Sequence, residues 1–237
     1  MKTAIMQPYL FPYIGYFQLA HHSEQFVFHD DVQFIKGGWI NRNRYLINNE
    51  PQFFTINLNK APSDYKINQR IFSEACTKNK TKILGQFISN YKKAPFKDEG
   101  INFLEKAFRL ILPEKNLADT LIEINKLLFK ELKIFTHVST TSSLHLEDSL
   151  KGQERVIKIC KIKNTTEYTN PIGGIELYST KEFSKNNLKL QFIESAPEIQ
   201  NSLPHNHQYL SIIDTIAWIG LEQTRKLLSL YQLKTHL

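Results

Sequence analysis

Residues 4–44 constrain the fold more than any other stretch: AIMQPYLFPYIGYFQLAHHSEQFVFHDDVQFIKGGWINRNR. Two short apolar runs, Ala4-Ile5-Met6 and Phe26-Val27-Phe28, read as buried strands. Each ends in polar or turn chemistry, Gln7-Pro8 after the first and His29-Asp30-Asp31 after the second. Between them lie a turn around Pro12 and Gly15 and an apolar stretch of helical character, Ile14 to Ala20. Strand, turn, helix, strand is the unit that builds parallel sheets. In such sheets ligands bind beyond the carboxyl ends of the strands, which here carry the unusual residues.

The rest of the chain continues the pattern. Gly37-Gly38 forces a turn. Arg44 to Ile47 and Gln52 to Leu58 alternate as a hairpin around Asn48-Asn49-Glu50-Pro51. From Thr77 to Lys133 the periodicity is helical, and Pro95 and Pro113 divide it in three. Strands then start near Phe135, Glu167 and Leu188, with helices at Gln153 to Lys161 and Ser179 to Lys185. Two helices, Leu210 to Gly220 and Leu221 to Tyr231, close the chain. The prediction is one α/β domain over residues 1–237. It has a five-stranded parallel doubly wound sheet, a β-hairpin and a helical insertion at about 66–134.

Composition narrows the class. No run approaches the ~18 apolar residues of a membrane span, and the start of the chain does not read as a signal peptide. Cys76 and Cys160 lie far apart in helical sequence, as two buried free thiols would. A reduced, cytoplasmic protein is expected. The net charge of +7 suits nucleic acid, an anionic membrane surface or a phosphorylated small molecule. Much of the lysine (Lys78, Lys80, Lys82, Lys92, Lys93, Lys97) reads instead as the solvated face of helices, and no nucleic-acid motif accompanies it.

Five groups carry candidate chemistry. Gln7 and Pro8, with Tyr13, Gly15 and Tyr16 beyond them, surround a glycine that opens a helix after a strand. There a phosphate can approach backbone amides at the positive end of the helix dipole. The plain alternative is a tight turn with core aromatics. Asp30 and Asp31 offer adjacent carboxylates for a sugar hydroxyl, an amine, Mg²⁺ or base catalysis, against the alternative of a solvated strand end. Lys36, Trp39, Asn41, Arg42, Asn43 and Arg44 mix guanidinium forks, amides and a stacking ring. That set suits an anionic, hydroxyl-rich ligand such as a nucleotide or nucleotide sugar. Asn170, Gly173 and Gly174, followed by Tyr178, form a tight loop with exposed amides or a plain turn. Ser211 and Asp214 share one helical face, with helix capping as the alternative for Ser211. Among His21-His22, His29 and His205-x-His207 no metal signature is complete.

At these residues a resemblance emerges. MQPYLFPYIGYFQL, FHDDVQFIKGGWINRNR, NPIGGIELY and LSIIDTIAWIG together resemble the WbqC-like family, colinearly over nearly the whole chain. Members of that family tend to occur in bacterial gene clusters for surface polysaccharides such as the O-antigen of lipopolysaccharide, and some are labelled glycine transferases. More distantly the chain is similar to the nucleotidyltransferase and pantothenate-synthetase superfamily, whose sheet is HUP/Rossmann-like. Tyr13-Ile14-Gly15-Tyr16 falls where that superfamily has H-x-G-H, and Ser149-Leu150-Lys151-Gly152 lies in the region of its K-M-S-K-S loop. Tyrosine can bond a phosphate but cannot carry imidazolium charge.

The resemblance implies a transferase or amide-forming ligase of surface-polysaccharide precursor biosynthesis. Its substrate would be a nucleotide-linked amino sugar. The reaction would be acyl or aminoacyl (glycyl) transfer, with adenylation as one route. ATP and Mg²⁺ both remain open as cofactors. Gln7, Tyr13, Gly15 and Tyr16 would then lie near the triphosphate or acyl donor, Asp30 or Asp31 would orient or deprotonate the amine, and Arg42 and Arg44 would hold phosphate. The alternative is a non-catalytic nucleotide or nucleotide-sugar binding protein that assists a glycosyltransferase. Nucleic acid ranks last.

Overall fold

The computed structural model describes residues 1–235. β1 (Lys2–Met6), α1 (Ile14–His22) and β2 (Gln25–Phe28) form the opening unit. The hairpin is β3 (Arg42–Ile47) and β4 (Glu50–Thr55). Three helices follow, α2 (Ala75–Asn90), α3 (Lys97–Leu110) and α4 (Leu117–Glu131). Next come β5 (His137–Thr140), α5 (Gly152–Ile162), β6 (Glu167–Pro171), α6 (Thr180–Lys185) and β7 (Lys189–Ser195). The short α7 (Glu198–Asn201), α8 (Ile212–Leu227) and β8 (Tyr231–Lys234) end the fold.

The main sheet has the order β5-β2-β1-β6-β7-β8. Its first five strands are parallel, as the apolar runs predict. The chain moves outward from β1 to β2 and β5, then returns to the other side of β1 with β6. The order therefore reverses between β1 and β6, where doubly wound sheets open a crevice.

Two expectations need correction. The sheet has a sixth strand, β8, antiparallel to β7, where the sequence predicts the tail of a helix ending at Tyr231. β8 is short, mostly exposed and at the edge, so its alternation carries little apolar signal. The hairpin turn is also tighter than predicted, only Asn48-Asn49 between Ile47 and its partner Glu50. Both asparagines have positive φ (52° and 64°), the backbone that a two-residue hairpin with the twist of its strands requires.

The predicted junction of the last two helices at Gly220 is present as a break within α8. Gly220 has φ 74°, and a Cβ there would stand 2.8 Å from the ring of Phe96. The positive φ and the missing side chain let Phe96 sit against the kink.

Alternation along β1 and β2 divides the core. Ala4, Phe26 and Phe28 face a layer that includes α1, α3, α4 and the hairpin. Ile5 and Val27 face α5 and α6 through Val156, Ile159 and Phe183. Within the first layer Phe129 of α4 packs against Phe17, Phe26 and Phe28. α4 thus covers the sheet directly. α2 instead packs on the hairpin, where Tyr45 meets Phe54 and Phe87. Cys76 and Cys160 are free and buried, one in each layer. Among the described residues no helix is long and apolar enough to cross a membrane.

Candidate functional site

The turn after β1 is fixed from two directions. The Asn43 amide donates to the carbonyls of Leu10 (3.0 Å) and Phe11 (2.7 Å). The Ser211 hydroxyl donates to the Phe11 carbonyl (3.0 Å), and the Ile212 amide donates to that of Pro12 (2.8 Å). Phe11 takes a positive φ of 48° inside this frame. Tyr16 is fully buried and donates to the Gln7 carbonyl (3.0 Å). Pro8 is buried behind Gln7. Asn43, Ser211 and Tyr16 thereby set the path of the loop that Gln7 and Tyr13 display.

A cavity of about 520 Å³ opens where the strand order reverses. Gln7, Tyr9 and Tyr13 line it from the end of β1, and His29 from the end of β2. Asn170, Gly173, Gly174 and Tyr178 line it from the end of β6, and Trp39 and Asn43 from the hairpin side. The ends of β1 and β2 and the loop after β6 thus converge. Asn170 donates to the Tyr168 hydroxyl (2.7 Å), which donates to that of Tyr178 (3.3 Å). A Cβ on Gly174 would collide with the Asn170 side chain, so glycine there lets Asn170 take this position.

A second cavity, about 350 Å³, lies beside the first. Tyr13, Pro171 and Tyr209 line both, and the Tyr13 and Tyr209 rings meet edge-on at 5.4 Å. The N-terminus of α1 reaches this second space through Ile14 and Gly15. It carries no side-chain cap and no acidic residue in its first turn. Its leading amides and dipole therefore favour an anion. The Tyr13 ring lies over Gly15 so closely that a Cβ would overlap it. Burial, and next the neighbouring Tyr209, push the Tyr13 hydroxyl up to about 12, so it stays protonated and can donate at neutral pH.

Asp214 also lines the second cavity, at the start of α8. It is fully buried, accepts from the Tyr91 hydroxyl at 2.5 Å and bonds His205 Nε2 at 2.9 Å. Tyr91 in turn accepts the Leu46 amide (2.9 Å). One carboxylate thus ties the hairpin, α2 and the segment before α8 together.

Asp30 and Asp31 lie just beyond β2, and both carboxylates turn toward the end of β5. Asp30 is buried and accepts from the Ser142 amide (3.0 Å) and hydroxyl (2.6 Å). Asp31 pairs with Arg155 at 2.6 Å, and the Thr141 hydroxyl touches both carboxylates. Neither carboxylate lines either of these two cavities. Arg155 also donates to His29 Nε2 (3.3 Å), which leaves the proton of a neutral ring on Nδ1. Burial is the largest influence on His29. It outweighs Asp31 and brings the ring down to about 4.

That shift predicts a pH effect. Between its ordinary value of 6.5 and about 4, the unfolded chain holds a proton on His29 that the folded chain refuses. Stability therefore falls as pH drops through this window, by up to ~3 kcal/mol for this ring. His22 moves the same way, again first through burial. Urea midpoints at about pH 7 and about pH 4.5 should converge in His29→Asn relative to the parent protein. An unchanged gap would place the titration elsewhere.

The remaining candidates sit around the hairpin. Arg42 donates to the carbonyls of Gly37 and Gly38 and lies 4.3 Å over Phe53. Arg44 lies 5.3 Å over Trp39 and reaches the Gln208 carbonyl (3.5 Å). Asn41 donates to the Ile56 carbonyl (2.8 Å), and Lys36 is exposed. Among the described residues no cluster of three His, Cys, Asp or Glu could hold a metal ion.

Comparison with known families decides the kinship: residues 7–226 match the model described as "WbqC-like protein family". The chain belongs to this family. The matched span takes in every residue of both cavities except Ile5, Met6 and Gln232. The WbqC-like chain is also similar to "Uncharacterized protein Rv1507c" of Mycobacterium tuberculosis (strain ATCC 25618 / H37Rv). The two are 38% identical over 55 residues, which is 23% of this chain and 24% of that protein. The similarity thus spans about a quarter of that protein's length. No solved structure matches significantly.

Sequence reading undervalued several residues here. In the sequence His29 stands out as strand-end chemistry and, with His205, as part of an incomplete metal set, while Tyr209 and Arg155 carry no signal. Alternation after Val27 was the signal for His29, since it places that ring on the other side from Asp30.

Proposed function

We propose that this WbqC-like protein is a transferase of surface-polysaccharide precursor biosynthesis that acylates the amine of a nucleotide-linked amino sugar. One observation carries the reading: a cavity at the strand-order reversal adjoins the uncapped N-terminus of α1. In doubly wound sheets that pairing suits a ligand with a phosphate group at the helix and its organic part in the crevice. The amides of Ile14 and Gly15, with the Tyr13 hydroxyl, would hold the diphosphate. Gln7, Asn170 and Tyr178 would hydrogen-bond the sugar, and Trp39 would stack on a ring at the mouth.

The transfer joins the sugar nitrogen to the acyl carbon and releases the donor's leaving group and one proton. Neutral His29 serves this reading as a hydrogen-bond donor, because a ring with so low a pKa is a weak base. Asp30 and Asp31 serve it from behind, by holding Ser142 and Arg155. Adenylation of the acyl group fits the more distant resemblance.

A second reading, nucleotide-sugar binding without catalysis, draws on the first cavity, whose lining contains no Asp, Glu, Lys or Arg. Incubation with UDP- and dTDP-amino sugars and activated acyl donors, followed by mass spectrometry, separates the two. The transferase reading expects an acylated sugar nucleotide. Saturable binding with no product would favour the second reading, and binding of neither sugar nucleotide would remove both.

A further inference from the structure

Three exposed large apolar side chains line the first cavity, and two more, Phe53 and Ile35, are exposed on the adjoining hairpin and turn. The lining three are Trp39, Leu177 and Tyr209, and Leu177 is 69% exposed. Phe53 packs against Trp39 in a tilted arrangement with ring centroids 5.5 Å apart. Ile35, 65% exposed, closes the turn to Gly38, whose amide donates to its carbonyl (3.0 Å). Each member thus joins the next through a shared cavity wall, a ring contact or a tight turn.

Cations accompany this rim. The Arg42 guanidinium lies over Phe53, Arg44 lies over Trp39, and exposed Lys36 follows Ile35. Glu50 at the hairpin turn and Glu176 beside Leu177 are the exposed acids of the same segments. Stacked guanidiniums keep their charge at the edge of apolar surface without giving up contact with it.

We propose that this rim docks the protein on an anionic lipid bilayer, with the mouth of the first cavity toward the headgroups. Aromatic rings with a polar edge favour the headgroup layer, and arginine and lysine beside them meet lipid phosphates. The chain's net charge of +7 adds long-range attraction of the same sign. The inference concerns the surface alone and does not depend on what the cavity binds.

Vesicle sedimentation tests it with the full chain and no added ligand. Two vesicle types serve, pure phosphatidylcholine and an equimolar mixture with phosphatidylglycerol. The expected result is binding to the mixed vesicles, little to the neutral ones, and a drop of roughly tenfold or more in Ile35→Ser with Phe53→Ser. Lys78→Glu with Lys82→Glu, on the exposed face of α2, should bind nearly as the parent does. Lys36→Glu reads the same surface if the serine pair fails to fold. An equal loss in the α2 variant would show diffuse charge attraction and overturn the proposal. So would absence of binding to either vesicle, or a dimer in solution that the rim variants turn into a monomer. Because no sugar nucleotide is present, failure here would leave the proposed transferase reading standing.

Discussion

Asp214→Ala is expected to cost the folded protein ~3–5 kcal/mol, because it deprives two side chains of one buried acceptor at ~1–3 kcal/mol each. The carboxylate is fully buried and serves two side chains at once, Tyr91 and His205. Its removal leaves a buried hydroxyl and a buried imidazole without this acceptor. The second ring nitrogen of His205 already lacks a partner, so the imidazole has nothing to fall back on. A chain of this size loses ~2–4 °C of Tm per kcal/mol, so the transition should fall by roughly 10 °C. Tyr91→Phe removes only one donor and should cost ~1–3 kcal/mol. Hydrogen exchange adds a local readout: the Leu46 amide, which donates to Tyr91, should lose protection in both variants. A loss below ~1 kcal/mol in Asp214→Ala would mean that this residue is an ordinary helix-start acid.

Arg155→Ala should be comparably damaging, ~3–5 kcal/mol, for a related reason. Arg155 is 5% exposed, and its guanidinium joins Asp31, His29 and the Glu147 carbonyl. Without it Asp31 stays half-sequestered beside Asp30 with no cation in contact, and the two carboxylates share only the Thr141 hydroxyl. The diagnostic variant is the pair Arg155→Met with Asp31→Asn. It removes both charges and should recover part of the loss, because the desolvation penalty goes with them. Chemical denaturation of the parent, Arg155→Met, Asp31→Asn and the double variant gives the coupling directly. A double variant as unstable as the sum of the single ones would show that the ion pair is not the cause.

These two networks mark what a sequence can and cannot reveal. β1 and β2 announced themselves, because a strand buried on both faces reads as a continuous apolar run and its end changes character. Met6 to Gln7 and Phe28 to His29 are such ends, and they do meet at one cavity. The break at Gly220 and the positive φ of Asn48 and Asn49 follow from residues that tolerate unusual backbone. β8 did not announce itself, since an exposed edge strand of four residues, Tyr231 to Lys234, has no apolar face to declare. The carboxylates were harder still. Asp30 looks free until Ser142 arrives from another strand end, more than a hundred positions along the chain. Asp214 looks like a helix-start acid until Tyr91 and His205 are placed beside it. Long-range partners of polar groups leave no local pattern, whereas burial of apolar ones does.

Titration calorimetry with UDP- and dTDP-amino sugars reads the cavity lining without any need for turnover. Asn170→Ala and Tyr13→Phe are the informative variants, one on each side of the strand-order reversal. The account predicts saturable binding of at least one sugar nucleotide by the parent protein. It further predicts a loss of ~1–3 kcal/mol in binding energy for Asn170→Ala, whose amide would meet the sugar in a desolvated site. Tyr13→Phe should lose ~0.5–1.5 kcal/mol or more, the worth of one donated hydrogen bond, with its ring still seated over Gly15. Sugar nucleotides that bind both variants as tightly as the parent would contradict it, because the ligand would then lie outside the crevice between β1 and β6.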